Sequence, residues 1–236
     1  MRLTIARAFA LALLAVPSTT AAARAQGVIP QGLPSQGTIP GMAHPHIEQI
    51  WTAYYDTPGG VGLLPTGAAE AEIAGQHAAL ALRDSLYLEG MRRHVSHVLH
   101  ALDPSLAPEG PGLGYGVRRA TERILEHIRL AAAAEDASDN LRTHAEYITG
   151  AARSTLERID RVVALARRLG EATTAAQGHA TVRELEVHAR AVWLGLDADR
   201  DGRVVWGSPE GGLRQVQQHM TLLRRGEGLL QEGFQR

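Results

Sequence analysis

The sequence predicts an all-α protein, a helical bundle of about six helices with one helix–loop–helix unit near the C-terminus. Three observations support this fold class. Apolar residues recur at the i, i+3, i+4, i+7 spacing of a buried helix face over most of the chain. No stretch shows sustained alternation of apolar and polar residues between hairpin turns. Aromatic residues make up only 4% of a chain rich in alanine, which suits closely packed helices.

The N-terminus has the pattern of a secretory signal peptide. A basic start is followed by an apolar run over residues 8–16 and then by Ala23-Arg24-Ala25, which fits an A-x-A cleavage site. We expect residues 1–25 to be removed after Ala25 and the protein to be periplasmic or secreted. No other segment has the roughly 18 consecutive apolar residues of a transmembrane helix, so we expect no membrane span.

Composition narrows the possible partners and chemistry. Removal of the three arginines in residues 1–25 lowers the formal net charge from −1 to −4, which disfavours nucleic acid or an anionic membrane as the main partner. The absence of cysteine excludes disulfides, thiolate metal sites, covalent c-type haem and a cysteine nucleophile. No catalytic motif is present, so we expect a binding protein rather than an enzyme, with another exported protein as a candidate partner.

The chain is expected to begin its folded part after a linker. Residues 26–45 are punctuated by Pro and Gly without a period, which predicts a flexible linker ahead of a helical domain over residues 46–230. A short helix is predicted over residues 46–55, where apolar residues fall on one face. Main helices are predicted over residues 66–82 with Thr66 as N-cap, 86–102, 117–133, 141–169 after Ser138-Asp139-Asn140, 182–196 and 209–223.

An acidic segment lies between the last two predicted helices. Asp197, Asp199 and Asp201 stand at alternate positions, so a tight loop would turn their oxygens onto one hard cation. Gly202 allows the sharp turn that follows. This spacing resembles that of an EF-hand calcium loop, which implies the carbonyl of Arg203 as the next ligand.

The closing ligand of this segment is out of register. The alternate aspartates and Gly202 resemble the first half of an EF-hand calcium loop, which implies a bidentate Glu at the twelfth position; Ser208 stands there, and the nearest carboxylate is Glu210, two residues later. Either Glu210 closes the site or water fills that position. The alternative for the whole segment is a solvated acidic turn, with Ser208-Pro209-Glu210 as an ordinary helix start.

Eleven histidines raise a second hypothesis, a histidine-based transition-metal or haem carrier. His94, His144 and His188 recur at equivalent points of three predicted helices, and side-by-side packing would bring three imidazoles together for zinc or copper. The alternative is that each is a satisfied interface histidine. His94 and His97 could also pair as ligands on a helix flank, whereas the helix phase predicts His97 and His100 at the surface.

The chain also carries a weak internal repeat. His94 precedes Asp103 by the same nine residues that separate His188 from Asp197, and further matches continue past the two loops. We infer two helix–loop–helix units, the first without loop aspartates. Chance similarity among Ala-, Leu- and Arg-rich helices is the alternative.

Two resemblances follow from these residues. Asp at positions 1, 3 and 5 and Gly at position 6 make residues 197–205 similar to the first half of an EF-hand calcium loop, which implies a calcium ion held by this loop, over residues 197–210. Because only one loop has ligands, the ion is expected to be structural. More of the chain resembles an uncharacterised family of exported proteobacterial proteins, which implies no activity; the resemblance lies in Asp56-Thr57-Pro58, Leu63-Leu64-Pro65-Thr66, Met91-Arg92-Arg93-His94, Leu102-Asp103-Pro104 and Gly110-Pro111-Gly112.

Overall fold

Helices account for all the regular structure in the computed structural model, which describes residues 41–207 and 209–229. The all-α prediction is confirmed, since these residues contain no strand and only an isolated bridge between Ala53 and Val61. The predicted signal peptide, most of the predicted linker and Ser208 lie outside the described residues. The helices are α1 (His44–Trp51), α2 (Leu63–Arg83), α3 (Leu88–Leu102), α4 (Val117–Ala133), α5 (Asp139–Glu171), α6 (Ala175–Leu194) and α7 (Leu213–Gly226), with a 3₁₀ turn at Pro58–Gly60.

The starts of α4 and α5 agree with the sequence, whereas the start of α2 does not. Helix α4 has the predicted bounds, and α5 begins after Ser138, whose hydroxyl oxygen accepts the N–H of Leu141 at 2.9 Å. Helix α2 begins three residues before Thr66, so the prediction of Thr66 as its N-cap is wrong. Thr66 is buried, and its hydroxyl donates to the carbonyl of Gly62 at 2.9 Å, as a threonine inside a helix does.

The last two helices differ more from the prediction. Helix α6 begins at Ala175 with Thr174 as N-cap, seven residues earlier than predicted. Helix α7 begins at Leu213, and Gly212 precedes it with its N–H donated to Gln215 Oε1 at 2.9 Å. The predicted helix start at residues 208–210 is therefore wrong, because Glu210 is used inside the loop.

Small residues let the central helices approach closely. Four alanines of α2 at helical spacing are fully buried, and α2 packs against α3, α4 and α6. Larger side chains such as Ile148 and Ile159 of α5 complete the core against α6 and α7. No helix within the described ranges has both the length and the apolar character needed to cross a bilayer.

The connections before α4 and before α7 are each bound by a buried charged side chain of an earlier helix. Buried Glu70 of α2 binds backbone N–H groups just before α4, and buried Arg158 of α5 binds backbone carbonyls just before α7. His127 of α4 contacts His46 of α1, and His219 of α7 contacts His144 of α5. The two helix–loop–helix units inferred from the sequence stay a prediction.

Candidate metal sites

The acidic loop, residues 197–210, folds back onto the end of α6. Gly195 ends α6 with φ of 78°, and a Cβ there would lie 2.4 Å from a methyl of Val204 and 2.6 Å from the carbonyl oxygen of Glu210. The N–H of Leu196 donates to that same carbonyl at 2.9 Å. Both ends of the loop are thereby joined beside the last turn of α6.

The aspartates of the loop organise its backbone. Asp197 accepts the N–H of Asp201 at 3.1 Å on one oxygen and the N–H of Gly202 at 3.0 Å on the other. Asp199 accepts the N–H of Asp201 as well, at 3.1 Å. Gly202 has φ of 86°, which is the positive φ expected for the turn glycine, and Arg200 also has a positive φ of 64°.

Glu210 is the buried acid of the loop, with only 6% of its surface exposed. Its Oε1 accepts the N–H of Ala198 at 3.1 Å, and its Oε2 accepts the N–H of Val205 at 3.0 Å. The Val205 N–H, together with those of Ala198 and Asp199, lowers the pKa of Glu210 below its ordinary value, against the effects of burial and of Asp197. Glu210 is therefore a carboxylate at neutral pH.

Three carboxylates of the loop come together. Oxygens of Asp197, Asp199 and Glu210 all lie within 4.8 Å of one another. Asp201 is not part of this group, and its Oδ1 accepts the N–H of Arg203 at 2.8 Å. The structure therefore brings together three of the predicted ligands, while Asp201 and the carbonyl of Arg203 stay predictions.

A buried arginine of α5 holds the loop against the bundle. Arg158, 5% exposed, donates to the carbonyl of Pro209 and, at 3.1 Å, to the carbonyl of Gly211. The ring of Trp206 also stacks on Tyr147 of α5, with centroids 4.3 Å apart. Because both contacts reach α5, the loop has fixed neighbours on one side.

The three histidines predicted to share a metal do not meet. Among the described residues, the ligand nitrogens of His94, His144 and His188 form no group close enough for one ion. His144 Nδ1 instead lies 3.2 Å from His219 Nδ1, and Nδ1 of His188 is buried without a hydrogen-bond partner. The ligand set His94, His144 and His188 is therefore corrected, because α3 lies against α2 and turns His94 toward that helix.

A different cluster of three histidines forms between α2 and α3. His77 Nδ1 lies 3.2 Å from His94 Nδ1 and 3.3 Å from His97 Nδ1, and ligand nitrogens of all three lie within 4.8 Å of one another. His94 and His97 are the flank pair considered from the sequence, whereas His77 was missed. Its signal is positional: His77 lies six residues before the end of α2, and His94 lies six residues after the start of α3. A short connection places such residues at the same height in an antiparallel pair.

His100 is also placed differently from the prediction. It was expected at the surface, but it is 7% exposed and its Nδ1 contacts the carbonyl of Ala107 at 2.7 Å. The reason is the connection between α3 and α4, which covers this face: a Cβ on Gly110 would lie 2.6 Å from the Cβ of His100. His97, also expected at the surface, is half-buried against His77 of α2. The helix phase gives the direction of these side chains but not the elements that cover them.

Comparisons with protein-family models, with curated protein sequences and with solved structures give no match to this chain.

Proposed function

We propose that this protein is an exported, non-enzymatic helical protein that binds a calcium ion at the acidic loop, where the ion has a structural role. The observation that carries the proposal is the convergence of Asp197, Asp199 and Glu210. Two of these acids follow α6 and the third precedes α7, so one ion would bridge the two ends of the loop.

Electrostatics favours a divalent cation at this point. Three carboxylates within 4.8 Å repel one another, and the pKa of Glu210 is lowered, which keeps its negative charge. A hard cation with oxygen ligands relieves that repulsion. An ionised carboxylate has about four acceptor positions, so the two backbone bonds to Asp197 leave about two for a cation or water.

A structural ion fits this loop better than a switch. The loop is already joined at its ends by the bond from Leu196 to Glu210, and Arg158 holds its later part. The equivalent connection in the first half, between α3 and α4, has no comparable group of acids among the described residues. Sensors usually pair two calcium loops, so a single loop is expected to stabilise α6 and α7 rather than to open them.

Calcium should therefore raise the thermal stability. An ion at 100 times its Kd adds about 2.7 kcal/mol to the free energy of unfolding. For a domain of this size that corresponds to an increase in Tm of about 5–11 °C. The Tm can be measured by circular dichroism in chelator, in about 1 mM Ca²⁺ and in the same concentration of Mg²⁺. Ca²⁺ should raise the Tm more than Mg²⁺ because it accepts irregular arrangements of oxygen ligands.

Two double variants distinguish the loss of calcium binding from a general change in Tm. The double substitution Asp197→Asn with Asp199→Asn should abolish the calcium-dependent rise in Tm while removing charge repulsion in chelator. A matched double substitution of exposed acids, Glu109→Gln with Glu135→Gln, should leave the rise intact. Equal Tm in calcium and chelator for the unmodified protein would end the proposal, as would a calcium response that survives in the Asp197/Asp199 variant.

A further inference from the structure

We propose that His77, His94 and His97 form a transition-metal site between α2 and α3, with the size and ligand type suited to Zn²⁺. Two of the ligands lie one helical turn apart on α3, and the third comes from the facing helix α2. This histidine cluster shares no residue with the acidic loop and is independent of the calcium proposal.

The spacing of the nitrogens matches a tetrahedral ion. Zinc–imidazole bonds of about 2.0–2.1 Å at tetrahedral angles place neighbouring ligand nitrogens about 3.3 Å apart. The two contacts of His77 Nδ1, at 3.2 Å to His94 and 3.3 Å to His97, have this length. The nitrogens of His94 and His97 also lie within 4.8 Å of each other, so all three rings border one position for an ion.

Hydrogen bonds among the three rings pair their nitrogens less completely than a bound cation would. A neutral imidazole has one N–H and one lone pair, so a two-ring contact such as His46–His127 is satisfied by a single N–H···N bond. In the histidine cluster, two Nδ1 atoms face the same Nδ1 of His77.

Asp84 is placed to orient one ligand. Its Oδ2 lies 3.8 Å from His94 Nε2, the ring nitrogen that stays protonated when Nδ1 binds a metal. The carboxylate fits there because Gly90 has no side chain: a Cβ on Gly90 would lie 2.2 Å from Asp84 Oδ2. Because 3.8 Å is longer than a hydrogen bond, we infer that Asp84 positions His94 through its charge, and that Gly90 leaves the space for this carboxylate.

The site supplies three protein ligands and leaves a fourth position for water or an exchanging ligand. The side chain of His94 is 17% exposed and that of Asp84 is 32% exposed, so solvent reaches the edge of the cluster. Closed structural zinc sites use four protein ligands, whereas a three-histidine site retains an open position. The bound ion is therefore expected to exchange readily with a chelator.

The test is zinc titration of the purified full chain, prepared without a histidine tag, against a competing chromophoric chelator in excess Ca²⁺. We expect one Zn²⁺ per chain, and a loss of affinity of at least about 10-fold for each of His77→Gln, His94→Gln and His97→Gln. His144→Gln, from a two-histidine contact, is the matched control and should bind like the unmodified protein. Co²⁺ bound at the site should give the visible absorption of tetrahedral nitrogen coordination.

The positioning role has its own variants. Asp84→Asn and Gly90→Ala should each weaken zinc binding by about 10-fold while keeping one ion per chain and the tetrahedral Co²⁺ spectrum. Glu89→Gln removes an exposed charge at the start of the same helix and should have no effect. Circular dichroism verifies that each variant is folded. The proposal is overturned by the absence of one-to-one binding, or by equal affinities of the His77→Gln variant and the unmodified protein.

Discussion

Replacement of Glu70 should lower the free energy of unfolding, because this buried acid connects α2 to the segment before α4 by two hydrogen bonds. Its side chain is fully buried, and Oε1 accepts the N–H of Tyr115 at 2.9 Å and the N–H of Gly116 at 3.1 Å. Glu70→Ala leaves both amides buried without an acceptor, at about 1–3 kcal/mol each. The expected loss is about 2–6 kcal/mol of the free energy of unfolding, plus the effect of a small cavity.

A graded series makes this prediction sharper. Glu70→Gln keeps an oxygen for both amides and loses only the charge, so its loss should be at most about 2 kcal/mol. Oε2 of Glu70 has no hydrogen-bond partner, and the amide group would take its place. Glu72→Ala is the matched control, since Glu72 is exposed on the same helix, and it should change stability by less than about 0.5 kcal/mol.

Urea unfolding followed by circular dichroism measures all three variants, with stability obtained by linear extrapolation. The reasoning is refuted if Glu70→Ala loses less than about 1 kcal/mol, or if it loses no more than Glu72→Ala. Either result would mean that water replaces the carboxylate as acceptor for the two amides.

Two further predictions concern pH and Arg158. Burial lowers the pKa of His127, His144 and His219 below the ordinary 6.5, so the unfolded chain binds more protons than the folded chain as pH falls through that value. The free energy of unfolding in chelator should therefore be highest above about pH 6.5 and decline toward about pH 5. Urea midpoints measured across this range should decline less for His219→Gln. Glu210, whose pKa is lowered below its ordinary value by backbone N–H groups, should keep its contribution through this window and lose it only under stronger acid. Arg158→Met removes the donors to the carbonyls of Pro209 and Gly211 and should lower the free energy of unfolding by about 2–4 kcal/mol in urea. A loss as small as that of the exposed control Arg161→Met would contradict this prediction.

Local pattern predicted that the helices exist and where the first acids of the loop lie, but not the starts of α2, α6 and α7. The apolar spacing of α4 predicted both of its ends, and Ser138 marked the start of α5, because helix faces and caps depend on residues only a few positions apart. The same locality made Asp197, Asp199 and Gly202 recognisable as a turn with converging acids. Glu210 was a candidate only as an out-of-register ligand, since the path of the loop determines where it lies.

The sequence by itself determined that the chain forms amphipathic helices and that an acidic turn separates the last two. Only the tertiary structure decided which helix covers each face. It set His77 beside His94 and His97, and it covered His100 with a loop. The physical reason is that periodicity fixes the direction of a side chain about its own helix axis, whereas its neighbours depend on how several helices pack together to bury their apolar faces.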